Sequence, residues 1–358
     1  MQSAGYKRYH RVLRTVLFAL AGVLLFILAL FLLKEGASGL HPLLMRLQVS
    51  GLVNALGFGW AMAYLVLSGS PVAAISLSLF GGQVLSSVET FGMITGSRLG
   101  ASFIVLFVGF VYWLRGQQRA ASVSVGVLCL LVTATIYLPA TVLGTLFLNR
   151  RWLDTLQLDI GQVNSVIEMV YDPIIHLLSN QLELPNLVLF MLGVGTLLVA
   201  FQILDRALPE IDPDSARFNK ISSLVYRPAF MFLLGASITS ITLSVSVSLT
   251  LLVPLTAKGY IRRENIIPYI MGANITTFID TLVAALIIPT RAGEPSAFII
   301  VLTQMLSVGI ISLLALGIDY SLYERLLERS MRWILRDNRT LGAFLALIFI
   351  VPVILMLI

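Results

Sequence analysis

The stretch Met271-Gly272-Ala273-Asn274-Ile275-Thr276-Thr277-Phe278-Ile279-Asp280 sets an amide, two adjacent hydroxyls and a carboxylate inside an apolar run, with Ile266 to Ile270 before it and Leu282 to Ile288 after it. Oxygen-bearing side chains of this kind suit a hard cation such as sodium. A helix unwound at Gly272-Ala273-Asn274 would add backbone groups, because irregular backbone at hydrocarbon depth is tolerated only where it is buried in protein or lines a wet cavity. The alternative is an unbroken helix, its threonines bonding to carbonyls one turn back and Gly272 allowing a close helix approach. Asp280 is the sharpest signal. A carboxylate in the middle of a span costs about 2.5 to 3.5 kcal/mol on insertion scales, so it is expected to face the bundle, where it raises cation affinity or neutralises a buried base.

A candidate base lies in an earlier copy of the same pattern. An offset of 176 residues sets Leu67-Ser68-Gly69-Ser70 against Leu243-Ser244-Val245-Ser246 and pairs Gly59 with Gly235, Leu79 with Leu255, Ile94 with Ile270 and Gly96 with Gly272. Gly96-Ser97-Arg98-Leu99-Gly100-Ala101-Ser102 is then the counterpart of the Gly272 motif. Arginine stays charged in a protein and needs an anion near the midplane. Either Arg98 holds a substrate anion bidentately, or it fills a cation site and pairs with Asp280. Hydroxyls also crowd the later copy, at Thr239, Ser240, Thr242, Ser244, Ser246, Ser248 and Thr250. In a helix they spread over several faces, so some serve only to bond the backbone.

Long apolar segments must position these residues. The chain has 358 residues, 58% hydrophobic and 12% charged, with a mean hydropathy of +0.94, far from the roughly 25% charge of soluble domains. Lengths near 20 residues place crossings at Val12 to Leu33, Phe91 to Leu114, Ala121 to Leu148, Leu187 to Leu208, Ile266 to Pro289, Ala297 to Ile318 and Leu341 to Ile358. Leu52 to Gly81 and Pro228 to Ala257 read as re-entrant helical hairpins with serines at their tips. The first crossing is too long for a signal-peptide core and is expected to be uncleaved.

If both hairpins return to the side they came from, eighteen of the 24 Lys and Arg fall on one side, five on the other, and Arg98 within the membrane. The positive-inside rule makes the eighteen cytoplasmic, with the N-terminus. It also puts the first hairpin outside and the second inside, which inverts the repeats. The expected fold is therefore an all-α integral membrane protein with two inverted-topology repeats, each a re-entrant hairpin followed by a broken transmembrane helix.

The organisation read from the chain has six parts: 1–50, the N-terminal segment, first span and outer loop; 51–148, the first repeat; 149–208, an extracytoplasmic segment and connecting span; 209–226, a cytoplasmic linker; 227–318, the second repeat; and 319–358, an amphipathic helix and final span. The net charge of +6 is dispersed over loops, so it fits membrane orientation and anionic lipid rather than nucleic acid. The single cysteine, Cys129, excludes an intrachain disulfide and a multi-cysteine metal site.

Serine hairpins followed by Gly-Ala-Asn in two inverted copies resemble the type II sodium/phosphate cotransporter family, which has bacterial members. The resemblance covers about Leu52 to Leu114 and Arg227 to Pro289, with 29 residues from Leu67 to Gly96 and from Leu243 to Gly272. Gly272-Ala273-Asn274-Ile275 and Thr277 match the family pattern directly; Gly96, Leu99 and Gly100 match more loosely. It implies sodium-coupled symport of inorganic phosphate across the plasma (inner) membrane, with sodium as coupling ion and no other cofactor. Ser68, Ser70, Ser244, Ser246 and Arg98 would bind substrate, and Ser70, Ser246, Asn274, Thr276, Thr277 and Asp280 would bind sodium.

The departures are Leu67 and Leu243 for the family's glutamines, Gly69 and Val245 for serines, Thr276 for a glycine and Arg98 for an asparagine. They keep two alternatives open: a nontransporting sensor or assembly partner, and a transporter of another anion. An enzyme is not expected. Gly36-Ala37-Ser38-Gly39 resembles the serine motif of rhomboid proteases but sits in a loop, and Tyr171-Asp172 lacks the second aspartate of an intramembrane aspartyl protease, Thr196 following Gly193-Val194-Gly195.

Overall fold

The computed structural model describes residues 2–40, 42, 49–114, 119–156, 161–207, 227–257, 261, 265–288 and 294–358. The expected linker 209–226 and the basic residues Arg46, Arg115, Lys258, Arg262, Arg263 and Arg291 lie outside them. Every regular element among the described residues is helical. The first half comprises α1 (Gln2–Gly36), α2 (Gly51–Val66), α3 (Gly69–Gly81), α4 (Ser87–Ala101), α5 (Phe103–Leu114) and α6 (Arg119–Arg150). Then come α7 (Gly161–His176), α8 (Asn186–Ala207), α9 (Pro228–Thr242), α10 (Val245–Thr250) and α11 (Leu252–Ala257). The chain continues through α12 (Ile266–Thr276), α13 (Ile279–Ile287), α14 (Ala297–Gly317), α15 (Tyr320–Ile334) and α16 (Asn338–Leu355).

Seven helical stretches are long and apolar enough to cross a membrane: Arg14–Leu40, Ser87–Val111, Val123–Arg150, Asn186–Leu204, Ile266–Ile287, Ala297–Gly317 and Asn338–Leu355. They coincide with the seven expected crossings to within a few residues, and the chain is a multi-pass membrane protein. The segments expected as hairpins are pairs of shorter apolar helices.

α1 and α8 form an antiparallel pair. A Cβ on Gly22 would meet Leu204, one on Gly36 would meet Phe190, and one on Gly39 would lie 2.4 Å from the backbone nitrogen of Leu187. As one helix ascends the other descends. The glycines of the Gly36-Ala37-Ser38-Gly39 segment thus serve a close backbone approach, and Ser38 Oγ accepts a hydrogen bond from Asn186.

The two hairpins share a backbone plan. α2 ends at Leu67 with φ +53° and α9 at Leu243 with φ +50°, and Ser68 and Ser244 are the N-caps of the helices that follow. Left-handed backbone costs a non-glycine residue about 1 to 2 kcal/mol, yet it recurs at both turns. Behind each turn, the outgoing hairpin helix packs parallel to the helix carrying the glycine motif. A Cβ on Gly96 would lie 1.9 Å from Leu56 O and one on Gly272 2.0 Å from Phe232 O, while Gly59 and Gly235 press on Met93 O and Tyr269 O in the same way. All four contacts repeat at the 176-residue offset. Small residues permit this backbone-to-backbone approach in a bilayer, where dispersion rather than hydrophobicity drives helix association.

The expected unwinding at Gly272-Ala273-Asn274 is not observed. These residues lie within α12, and the helix is interrupted five residues later, at Thr277-Phe278. The first copy is interrupted correspondingly at Ser102, between α4 and α5. Gly272 packs against Phe232 O and does not open a turn, so each long span is broken past its glycine.

Candidate functional site: a buried ion pair where the two halves meet

Arg98 lies on the last turn of α4, close to the break at Ser102, and its side chain is almost wholly buried. One terminal nitrogen donates to Ser70 Oγ on the first turn of α3 and to Thr277 Oγ1 at the second break, each at 3.1 Å. The other donates to Asp280 Oδ1 at 3.2 Å, an ion pair, and to Thr281 Oγ1. The guanidinium carbon also stands 5.1 Å from the centre of the Phe278 ring, within cation–π range. Groups from both halves of the chain, on α3, at the second break and on α13, therefore converge on one cation. The positions follow from local structure: Thr277 stands at the break and Thr281 on the first turn of α13, and Ser70 follows the turn that Leu67 closes.

Asp280 is held in turn by the Thr281 backbone N–H at 2.6 Å and the Thr281 hydroxyl at 2.8 Å, both on Oδ1. Two valences remain. Arg98 Nε and Asp280 Oδ2 are both buried and have no hydrogen-bond partner among the described residues. One is a donor and the other an acceptor, so the centre retains capacity for an anion on one side and a cation on the other.

The remaining residues singled out from the sequence are dispersed. Asn274 is buried against α6, where its side-chain amide donates to Thr133 at 3.2 Å and its backbone carbonyl accepts from Tyr137 at 2.8 Å. Thr276 donates to Ala236 O at 2.9 Å and so ties α12 to α9. Ser68 caps α3 by position without a side-chain bond, Ser244 Oγ accepts from Val247 N at 3.3 Å, and Ser246 is half-buried on α10. Most of the second hairpin's hydroxyls hold it together: Thr239 donates to Ser248, which shares a bond with Tyr269, while Ser240 and Thr250 bond backbone carbonyls.

Two participants, Thr281 and Phe278, and one nearby polar residue, Gln304, were not singled out from sequence. Thr281 was legible, adjoining Asp280 and one turn from Thr277. Phe278 offers only a ring, which sequence cannot distinguish from packing. Gln304 is a polar residue within the apolar α14; its amide donates to Thr95, one turn before Arg98, and its carbonyl oxygen is buried without a partner among the described residues. A glutamine at hydrocarbon depth was a usable signal.

No family model, curated protein or solved structure matches the chain.

Proposed function

We propose that the chain is a secondary active transporter with two inverted repeats, performing sodium-coupled symport of inorganic phosphate across the plasma membrane, its N-terminus cytoplasmic. The observation that carries the reading is the buried Arg98–Asp280 pair with an open donor on one residue and an open acceptor on the other. Support for inversion comes from α1 and α8, the spans preceding the two hairpins, which run antiparallel. Support for a site at this depth comes from its place between two interrupted spans.

The pair supplies a physical basis for coupling. A sodium ion taken by Asp280 and the threonine hydroxyls releases Arg98, and a phosphate oxyanion taken by Arg98 releases Asp280. Either ion alone leaves a buried charge without a partner, at about 3 to 5 kcal/mol, or at least a hundredfold in occupancy. Both together restore neutrality when the phosphate is the monoanion, and a dianion requires a second sodium. Radiolabelled phosphate uptake into proteoliposomes is expected with an inward sodium gradient and not with choline in its place, and Asp280→Asn is expected to weaken the sodium requirement.

A nontransporting sensor or assembly partner is the second reading, favoured by the four protein acceptors that already engage Arg98 and by the partly exposed leucines at both hairpin turns. Absence of uptake under either gradient, from a folded protein, selects it.

A further inference from the structure

α15 connects a span ending at Gly317 to a span beginning at Asn338, so it lies at the membrane surface. Its N-terminus is fixed by Asp319, whose carboxylate accepts from Leu322 N at 2.9 Å and from the Ser321 hydroxyl at 2.8 Å. One face, Leu327, Met331 and Ile334, is buried against the bundle. Beside it runs a second apolar stripe, Leu322, Leu326 and Trp333, exposed by 47%, 55% and 59%. Arg325, Arg329 and Arg332 follow at spacings of four and three, a basic edge along that stripe, and Arg336 lies just past the end of the helix. Glu328 pairs with Arg332 at 3.5 Å from the far side. A helix ordered as core face, apolar stripe and basic edge is suited to the boundary between acyl chains and headgroups, where tryptophan is also favoured.

At Trp333 the stripe opens into a groove of about 630 Å³ between α6, α15 and α16, lined by Leu131, Trp333, Ala343, Phe344 and Leu347, with Arg329 among its lining residues. The apolar lining accepts a hydrocarbon chain, and the guanidinium fits a phosphate. We propose that this groove binds one anionic phospholipid, an acyl chain against Phe344 and Leu347 and the phosphodiester on Arg329, with the neighbouring arginines adding to the attraction. The proposal is independent of transport, since none of these residues belongs to the Arg98 centre.

The test reads Trp333 fluorescence in nanodiscs of phosphatidylcholine doped with brominated phosphatidylglycerol or brominated phosphatidylcholine, with Trp113 and Trp152 replaced by phenylalanine. Trp60, buried and bonded to Tyr64, remains as background. Each arginine at an anionic surface contributes about 1 kcal/mol, or about fivefold, so brominated phosphatidylglycerol is expected to quench at about one fifth the mole fraction or less. Arg329→Gln should reduce that preference about fivefold, and Ala343→Phe should reduce quenching by both lipids. If the tryptophan replacements unfold the protein, subtracting the signal of Trp333→Phe from that of the parent gives the same ratio. Equal quenching by the two lipids, or a preference unchanged in Arg329→Gln, overturns the proposal. So does protection of Trp333 from both lipids that disappears when each nanodisc holds a single chain, because a second copy would then be the occupant.

Discussion

The two hairpin halves share a backbone and differ in what encloses it. In the first, α3 is buried along most of its length, and α2 is covered by the last span: Asn54 donates to Met356 O at 2.7 Å, Tyr64 to Ile348 O at 2.9 Å, and Gly57 admits the backbone at Met356. In the second, α9 buries little beyond Met231, Gly235, Thr239 and Thr242, and Leu233, the counterpart of Gly57, is exposed. The charge differs too. Where the first half carries Arg98, the second carries Asn274, whose side chain bonds neutrally to Thr133. A repeated fold therefore fixes where a residue stands and leaves open whether it acts as an ion or a strut. The half with fewer buried contacts is also the one expected to open more readily.

The largest effect expected from breaking this comparison is at the charged position. Arg98→Gln leaves Asp280 buried opposite a neutral partner and should destabilise the protein by about 3 to 5 kcal/mol, whereas Asn274→Ala, which strands one hydroxyl, should cost about 1 to 3 kcal/mol. Denaturant unfolding in detergent compares them; equal losses would mean that the ion pair carries no special weight. Next are the glycines common to both halves. Gly96→Ala and Gly272→Ala each force a Cβ onto a carbonyl and should cost similar amounts, about 1 to 3 kcal/mol or more, and a large difference between them would show that the two helix pairs are not equivalent.

Orientation is a sharper test of inversion than of stability. Cysteine placed at Ser87 is expected to react with a membrane-impermeant reagent from outside and one placed at Arg325 from inside, with Cys129 silent because it is buried; labelling of both from one face ends the inverted reading.

The smallest effect concerns the caps of the helices at the chain's end. Hydrogen bonds from Ser321 and from the Leu322 backbone hold the Asp319 carboxyl below its ordinary range, and the Thr340 backbone N–H does the same first for Asp337. A lowered folded value means that the stabilisation is complete above the ordinary aspartate range and is lost as pH falls through the folded value. Amide protection at α15 and the start of α16, measured relative to the intrinsic exchange rate at each pH, is thus expected to fall in acid below that range, while that of α9 and α12 does not change on this account. Loss of protection confined to α9 and α12 would contradict the assignment of these caps.

The amino-acid sequence by itself determined the number and place of the spans, because hydrocarbon thickness sets their length and apolar runs register it directly. The same was true of both hairpins and the 176-residue repeat, which rest on local patterns of serine, glycine and leucine. It also marked Arg98 and Asp280 as residues needing partners, since a charge at that depth is costly wherever it points. It left open whether Arg98 and Asp280 would stand side by side. Only the tertiary structure decided that, because the answer depends on bringing residues 182 positions apart to 3.2 Å. The position of the breaks was likewise decided by packing: Gly272 looked like an interruption because glycine is permissive, but Phe232 O fills the space a side chain would need. Asn274, Thr276 and most of the hairpin hydroxyls were candidates by chemistry alone. A hydroxyl or amide has the same chemistry whether it faces an ion or a carbonyl on the next helix, and the packing of α6 and α9 against α12 gives Asn274 and Thr276 partners away from Arg98.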